Sequence, residues 1–166
     1  MTRSRNETRA TLLKAGRGAG LPLGLAEDLA TAGTDLLSRD PTKADQITTA
    51  LDPDPTGIAF TGPAAIDAAL AGDLPQSVHA PRTADLFAAM LDVARRDRGL
   101  QAALTRDGNT LTLTKGQADA APVPFGPVTV PEDHWTIWET LAARTYVPET
   151  EASRTSGAGA GLTDND

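Results

Sequence analysis

Residues 84–115, ADLFAAMLDVARRDRGLQAALTRDGNTLTLTK, decide the fold. Phe87, Met90, Leu91 and Ala94 recur at helical spacing, which predicts an amphipathic helix over 84–98. Arg95, Arg96 and Arg98 favour its C-terminal end through the helix dipole, and Gly99 is a natural stop. The period then changes to two. Leu100, Ala102 and Leu104 alternate into a turn at Asp107-Gly108-Asn109, and Leu111 and Leu113 alternate back between threonines. A helix feeding a hairpin, rather than a repeated strand–helix–strand unit, predicts an α+β fold.

Upstream of this stretch the chain reads as helices. Ser4, with Glu7 three residues later, fits a capping box, so a first helix is expected over 4–17, with Gly18 and Gly20 breaking it. Leu25, Leu29, Ala32 and Leu36 mark a second helix, with Glu27 and Asp28 expected in its first turn. The short link at 20–24 suits an antiparallel pair. Asp40-Pro41 opens a weaker helix to about Leu51, Ile58-Ala59-Phe60 reads as a short strand, and Gly62-Pro63 starts a further helix. Another short strand is expected at Ser77–Ala80. Downstream, Lys115 to Pro127 is a polar, Gly/Pro-rich loop, and Val128-Thr129-Val130 is a strand. A last helix follows Pro131, with Trp135, Trp138, Leu141 and Ala142 spaced for burial. The expected architecture is an N-terminal antiparallel helix pair, a small antiparallel sheet with a central hairpin, a C-terminal helix and an extended Gly-rich tail. One domain is expected over 1–150, with the tail at 151–166.

Composition narrows the chemistry. The chain has 166 residues, no cysteine and a formal net charge of −7, which excludes a disulfide framework, a thiolate zinc site and a cysteine nucleophile. No apolar run approaches the length of a membrane span, and the first residues lead into a mixed helix rather than a signal peptide, so a cytoplasmic protein is expected. Charge is uneven. Residues 1–20 hold five basic side chains against one acidic, whereas 21–94 hold eleven acidic against three basic. The acidic majority would repel phosphate and no aromatic platform accompanies the arginines, so nucleic-acid binding is not expected. His79 and His134 lie far apart without metal-ligand spacing. Gly16-Arg17-Gly18-Ala19-Gly20 looks like the start of a dinucleotide fingerprint, but Leu21 replaces the last glycine and a helix, not a strand, precedes it.

The tail carries more chemistry. Tyr146 is the single tyrosine, Ser153 and Arg154 offer a hydroxyl and a bidentate guanidinium, and Gly157, Gly159 and Gly161 alternate with alanine. Asp164, Asn165 and Asp166 gather oxygen ligands suited to Mg²⁺ or Ca²⁺, and equally suited to pairing with the basic first helix; no metal site is assigned. The plainer reading of the tail is a frayed, Gly-rich end. The stretch 145–166, together with residues 14–28, KAGRGAGLPLGLAED, resembles the DUF3726 family, small proteins of alphaproteobacterial genomes without an assigned activity. The middle of the chain matches only in outline, and Leu23 stands near where that family usually has an aromatic. The resemblance implies that Arg17–Glu27 and the tail are the distinctive segments. It implies no reaction and no cofactor.

Three functional readings stay open. In the first, the acidic tail is drawn to the basic first helix, and Arg17, Arg154, Ser153, Gly159, Asp164, Asn165 and Asp166 frame a site for an anionic metabolite, in a binding or accessory component of a metabolic pathway. In the second, Glu27 acts as general base and Tyr146 as proton donor, with Arg17 and Arg154 as anion clamps. In the third, the tail docks into a partner protein as an extended strand.

Overall fold

The computed structural model describes residues 1–146. The first helix, α1, spans Arg5–Ala19. The Glu7 backbone N–H donates to Ser4 Oγ at 3.1 Å, one half of the capping box. The other half is missing, because Glu7 accepts instead from Arg3 at 2.9 Å. Gly18 does not break the helix. Gly20 does, at a left-handed φ of 102° that favours glycine, with its N–H returning to the Arg17 carbonyl.

After Pro22 the second helix, α2, runs Leu23–Arg39. It starts earlier than its leucine stripe suggests, so Glu27 and Asp28 lie beyond the first turn rather than inside it. The dipole therefore gives them less than expected, since its effect fades within one turn. The pair is antiparallel. A Cβ on Gly16, late in α1, would meet the Ala26 Cβ, early in α2, at 2.9 Å. At the other end Arg5, the first residue of α1, reaches Asp35 and Ser38 late in α2.

Asp40 caps a 3-10 turn at Pro41–Lys43, which continues into α3, Ala44–Ala50. The strand expected at Ile58–Phe60 is instead the start of a helix, α4, Ile58–Leu70. Ile58, Gly62 and Ile66 form one buried face at helical spacing that continues through Pro63. Pro63 sits in the sixth position, where its missing N–H forfeits only the bond to the Ala59 carbonyl. The next helix, α5, spans Ala84–Arg98, as the sequence predicts, and Gly99 ends it at φ 68°.

The main sheet has three antiparallel strands: β2, Gln76–His79; β3, Ala102–Asp107; and β4, Thr110–Lys115. Their order is β2-β4-β3, with the hairpin strand β4 in the centre. Leu111 and Leu113 of β4 and Val78 of β2 are buried on one face. Thr110, Thr112 and Thr114 line the other, where Thr112 pairs with both Thr105 and Ser77. The strand expected at 128–130 joins no such sheet. Val128–Thr129 (β5) pairs antiparallel with Thr2–Arg3 (β1) at the very start of the chain, extended by the Val130 N–H donating to the Met1 carbonyl at 2.9 Å. The last helix, α6, spans Glu132–Ala143 and buries Trp135 and Trp138.

Core packing joins α1 to both α2 and α6, and α2 to α5. The α1–α6 approach depends on Gly18, whose added Cβ would fall 1.8 Å from the Leu141 carbonyl oxygen. The glycine cluster of 16–20 is thus a packing device: Gly16 for α2, Gly18 for α6 and Gly20 for the turn. Among the described residues no helix is long and apolar enough to cross a membrane.

Candidate functional site: a cationic cleft beneath the 118–125 segment

Burying a carboxylate is costly unless it is paired, so the aspartates within the apolar stripes of α2 and α5 need cationic partners. Asp35 is 3% exposed and Asp92 is 6% exposed. Asp35 accepts from Arg5 Nη2 at 2.5 Å and from Arg96 Nη2 at 2.8 Å. Asp92 accepts from Arg39 Nη1 at 2.7 Å and from Arg95 Nη1 at 3.2 Å. Arg39 Nε donates to the Asp35 carbonyl at 3.3 Å, which ties the two clusters together. Two carboxylates are therefore shared by four guanidinium groups contributed by α1, α2 and α5.

Arg95 is the least exposed of the four. Its Nη2 donates to the Ala102 carbonyl at 2.7 Å, yet its Nε and Arg39 Nη2 are buried without a partner among the described residues. Burial lowers the Arg96 pKa, but the hydrogen bonds and charges of Asp35 and Asp97 outweigh it, and the net shift is upward. Arg96 therefore stays cationic at any ordinary pH.

Arg5, Asp35, Arg95, Arg96 and Gln101 line one side of a cleft of about 610 Å³, and the segment 118–125 lines the other. That segment lies in the long link between β4 and β5. It is anchored where Lys115 pairs with Ala102, and again where β5 pairs with β1. The β1–β5 ribbon thus brings both the start of α1, with Arg5, and the end of the link to the cleft. Among the described residues, 117–127 make no backbone hydrogen bond. Phe125 is fully exposed.

The residues singled out in the sequence fall elsewhere. Arg17 is exposed at the opposite end of α1 from Arg5, with Nη1 donating to the Leu21 carbonyl at 3.5 Å. Glu27 is exposed on α2. Tyr146 is exposed beyond α6, and Lys14 Nζ stands 5.6 Å from its ring centroid. No hydrogen bond or ion pair joins Arg17, Glu27 and Tyr146, and none of them lines the cleft of Arg5, Arg95 and Arg96. Ser153, Arg154, Gly159, Asp164, Asn165 and Asp166 lie outside the described residues.

The histidines have distinct surroundings. His134 Nδ1 lies 2.8 Å from Thr48 Oγ1, which also accepts from Trp138 Nε1 at 2.9 Å, so this histidine knits α3 to α6. His79 lines a smaller cleft with Asp52, Asp54 and Arg82. Among the described residues no group of three or more His, Cys, Asp or Glu is placed to hold a metal ion.

Sequence reasoning missed the paired arginines of the cleft. It read Arg95 and Arg96 only as charges favouring a helix end. The available signal was Asp35 and Asp92, acids set among apolar helix positions.

Fold and site together define an α+β protein with a guanidinium-rich cleft between its helices and a long interstrand link. Residues 3–51 match the model of a family described as Protein of unknown function (DUF3726). The resemblance seen at residues 14–28 thus holds across α1, α2 and α3, and the matched segment contains Arg5, Asp35 and Arg39. No curated protein and no solved structure matches the chain.

Proposed function

We propose that this protein binds a small anionic molecule in the cleft framed by Arg5, Arg95 and Arg96. The supporting observation is the charge ratio: four guanidinium groups share two buried carboxylates. Each buried aspartate balances one of its two arginines, so the positive charge left on the cluster is offset only by exposed acids. An oxyanion is the natural complement, because the guanidinium fork matches a carboxylate or phosphate in geometry as well as in sign. The volume suits a metabolite-sized ligand. Arg96 Nε also donates to Asp97 at 3.1 Å and Asp119 lines the cleft, but both acids are exposed, where water and salt screen their charge.

This reading keeps anionic small-molecule binding as the function and assigns it to the far end of α1 from Arg17. It is a binding function. Turnover with Glu27 as base and Tyr146 as proton donor would need those groups and an arginine to converge on one pocket.

The test is the thermal shift produced by inorganic phosphate, acetate and citrate. At least one should raise the melting temperature of the native protein, with the increase eroding as NaCl is added. Arg96→Gln and Arg5→Gln should each reduce the ligand-induced increase, whatever they do to the melting temperature without ligand. A native protein that responds to none of the three anions sinks the proposal.

A further inference from the structure

We infer that the ligand of this cleft is an oxyanion carrying an apolar aryl or alkyl body, and that Phe125 is the residue that selects for that body. The inference rests on the anion-binding reading above and deepens it.

The two sides of the cleft differ in chemistry. One side presents Arg5, Arg95, Arg96 and Gln101. The other is almost wholly apolar in its side chains: apart from Asp119, the segment 118–125 consists of alanine, proline, valine and Phe125. An inorganic anion would use the first side and leave the second wet. A ligand with an ionic head and an apolar body would use both. Phe125 at the rim exposes its whole side chain, a large apolar surface with no partner among the described residues. Because residues 117–127 make no backbone hydrogen bonds among the described residues, adjusting the segment onto a ligand would break none of those present there. Pro122 and Pro124 also narrow the conformations it must give up on binding.

The experiment is calorimetric titration of the full chain with two matched pairs, inorganic phosphate against phenyl phosphate and acetate against benzoate. The aryl member should bind about tenfold more tightly in at least one pair, the size of effect expected for burying part of an aromatic ring. Phe125→Ala should remove that preference while leaving the affinity for the simple anion unchanged. Arg96→Gln should weaken both members alike.

Equal affinity within both pairs overturns the inference and leaves the anion-binding reading standing. No binding by any of the four overturns the inference, and with no thermal response to citrate it overturns the anion-binding reading as well. A preference that survives Phe125→Ala overturns the role of Phe125. Phe125 is fully exposed, so its truncation leaves the fold intact, which circular dichroism of the variant will verify.

Discussion

Glycines at three positions of the helix pair do opposite things, and the difference lies in what a single methyl group would meet. At Gly18 an added Cβ would overlap the Leu141 carbonyl oxygen at 1.8 Å, and backbone cannot swing away as a side chain can. Gly18→Ala should lower the unfolding free energy by about 2–3 kcal/mol, the overpacking cost exceeding the ~1 kcal/mol that alanine gains in a helix. At Gly24 nothing lies within 4 Å of the added Cβ. Gly24→Ala should therefore stabilise by about 0.5 kcal/mol. Urea denaturation of both variants checks the pair; equal effects would show that the α1–α6 contact is not as close as described. Gly16 is intermediate, because its Cβ would meet a side-chain methyl at 2.9 Å. From sequence all of these are simply glycines near a turn. Gly20 is legible as a stop because a left-handed φ is a local demand, whereas Gly18 answers to a residue more than a hundred positions away.

At the scale of elements, aspartates on α5 and α2 carry opposite pH responses. Asp85 opens α5 and accepts from Lys43 and from Gln46, whose Oε1 in turn accepts the N–H groups of Asp85 and Leu86. The hydrogen bond from Lys43 holds the Asp85 carboxyl below its ordinary value of 3.8, with Gln46 and the Lys43 charge adding to it against a burial cost. A lowered carboxyl stabilises the fold above pH 3.8, and that contribution is lost as pH falls through the lower folded value. Asp28 on α2 has the opposite sign. Burial raises it above 3.8, against the attraction of Arg98 and with help from Asp67 and Glu27. Its ionisation weakens the folded state as pH rises from 3.8 through the raised value. Asp85→Asn should therefore be less stable than the native chain at neutral pH, and Asp28→Asn more stable. Both differences should shrink as the pH is taken well below 3.8. Urea midpoints across that range decide it; variants with a constant offset from native would rule the titration account out. The elements themselves were largely legible, because helical period, Pro41, Gly99 and the Gly108 turn are local signals. The strand expected at Ile58–Phe60 fails at an element boundary: Pro63 is a local signal for a helix start, while the buried face continues through it.

For the whole molecule, the segment matched as DUF3726 ends at residue 51, but its packing does not. The first helix packs against α6, β1 pairs with β5, Arg5 and Arg96 share Asp35, and Thr48 bonds to both His134 and Trp138. A fragment of residues 1–51 should therefore lack a cooperative thermal transition and show less helix than its share of the full chain, which far-ultraviolet circular dichroism will measure. A sharply melting fragment would show instead that α1, α2 and α3 fold alone. By itself the sequence determined the α+β class, the antiparallel first pair, the hairpin and the buried tryptophan helix, since periodicity and turn chemistry act over a few residues. Tertiary structure alone decided that the two ends of residues 1–130 meet in a ribbon, that Gly18 admits α6, and that arginines from α1, α2 and α5 surround two buried aspartates. Those facts depend on long-range contacts: Asp35 and Asp92 among apolar helix positions mark a need for cationic partners, but which arginines supply them is settled only where the helices meet.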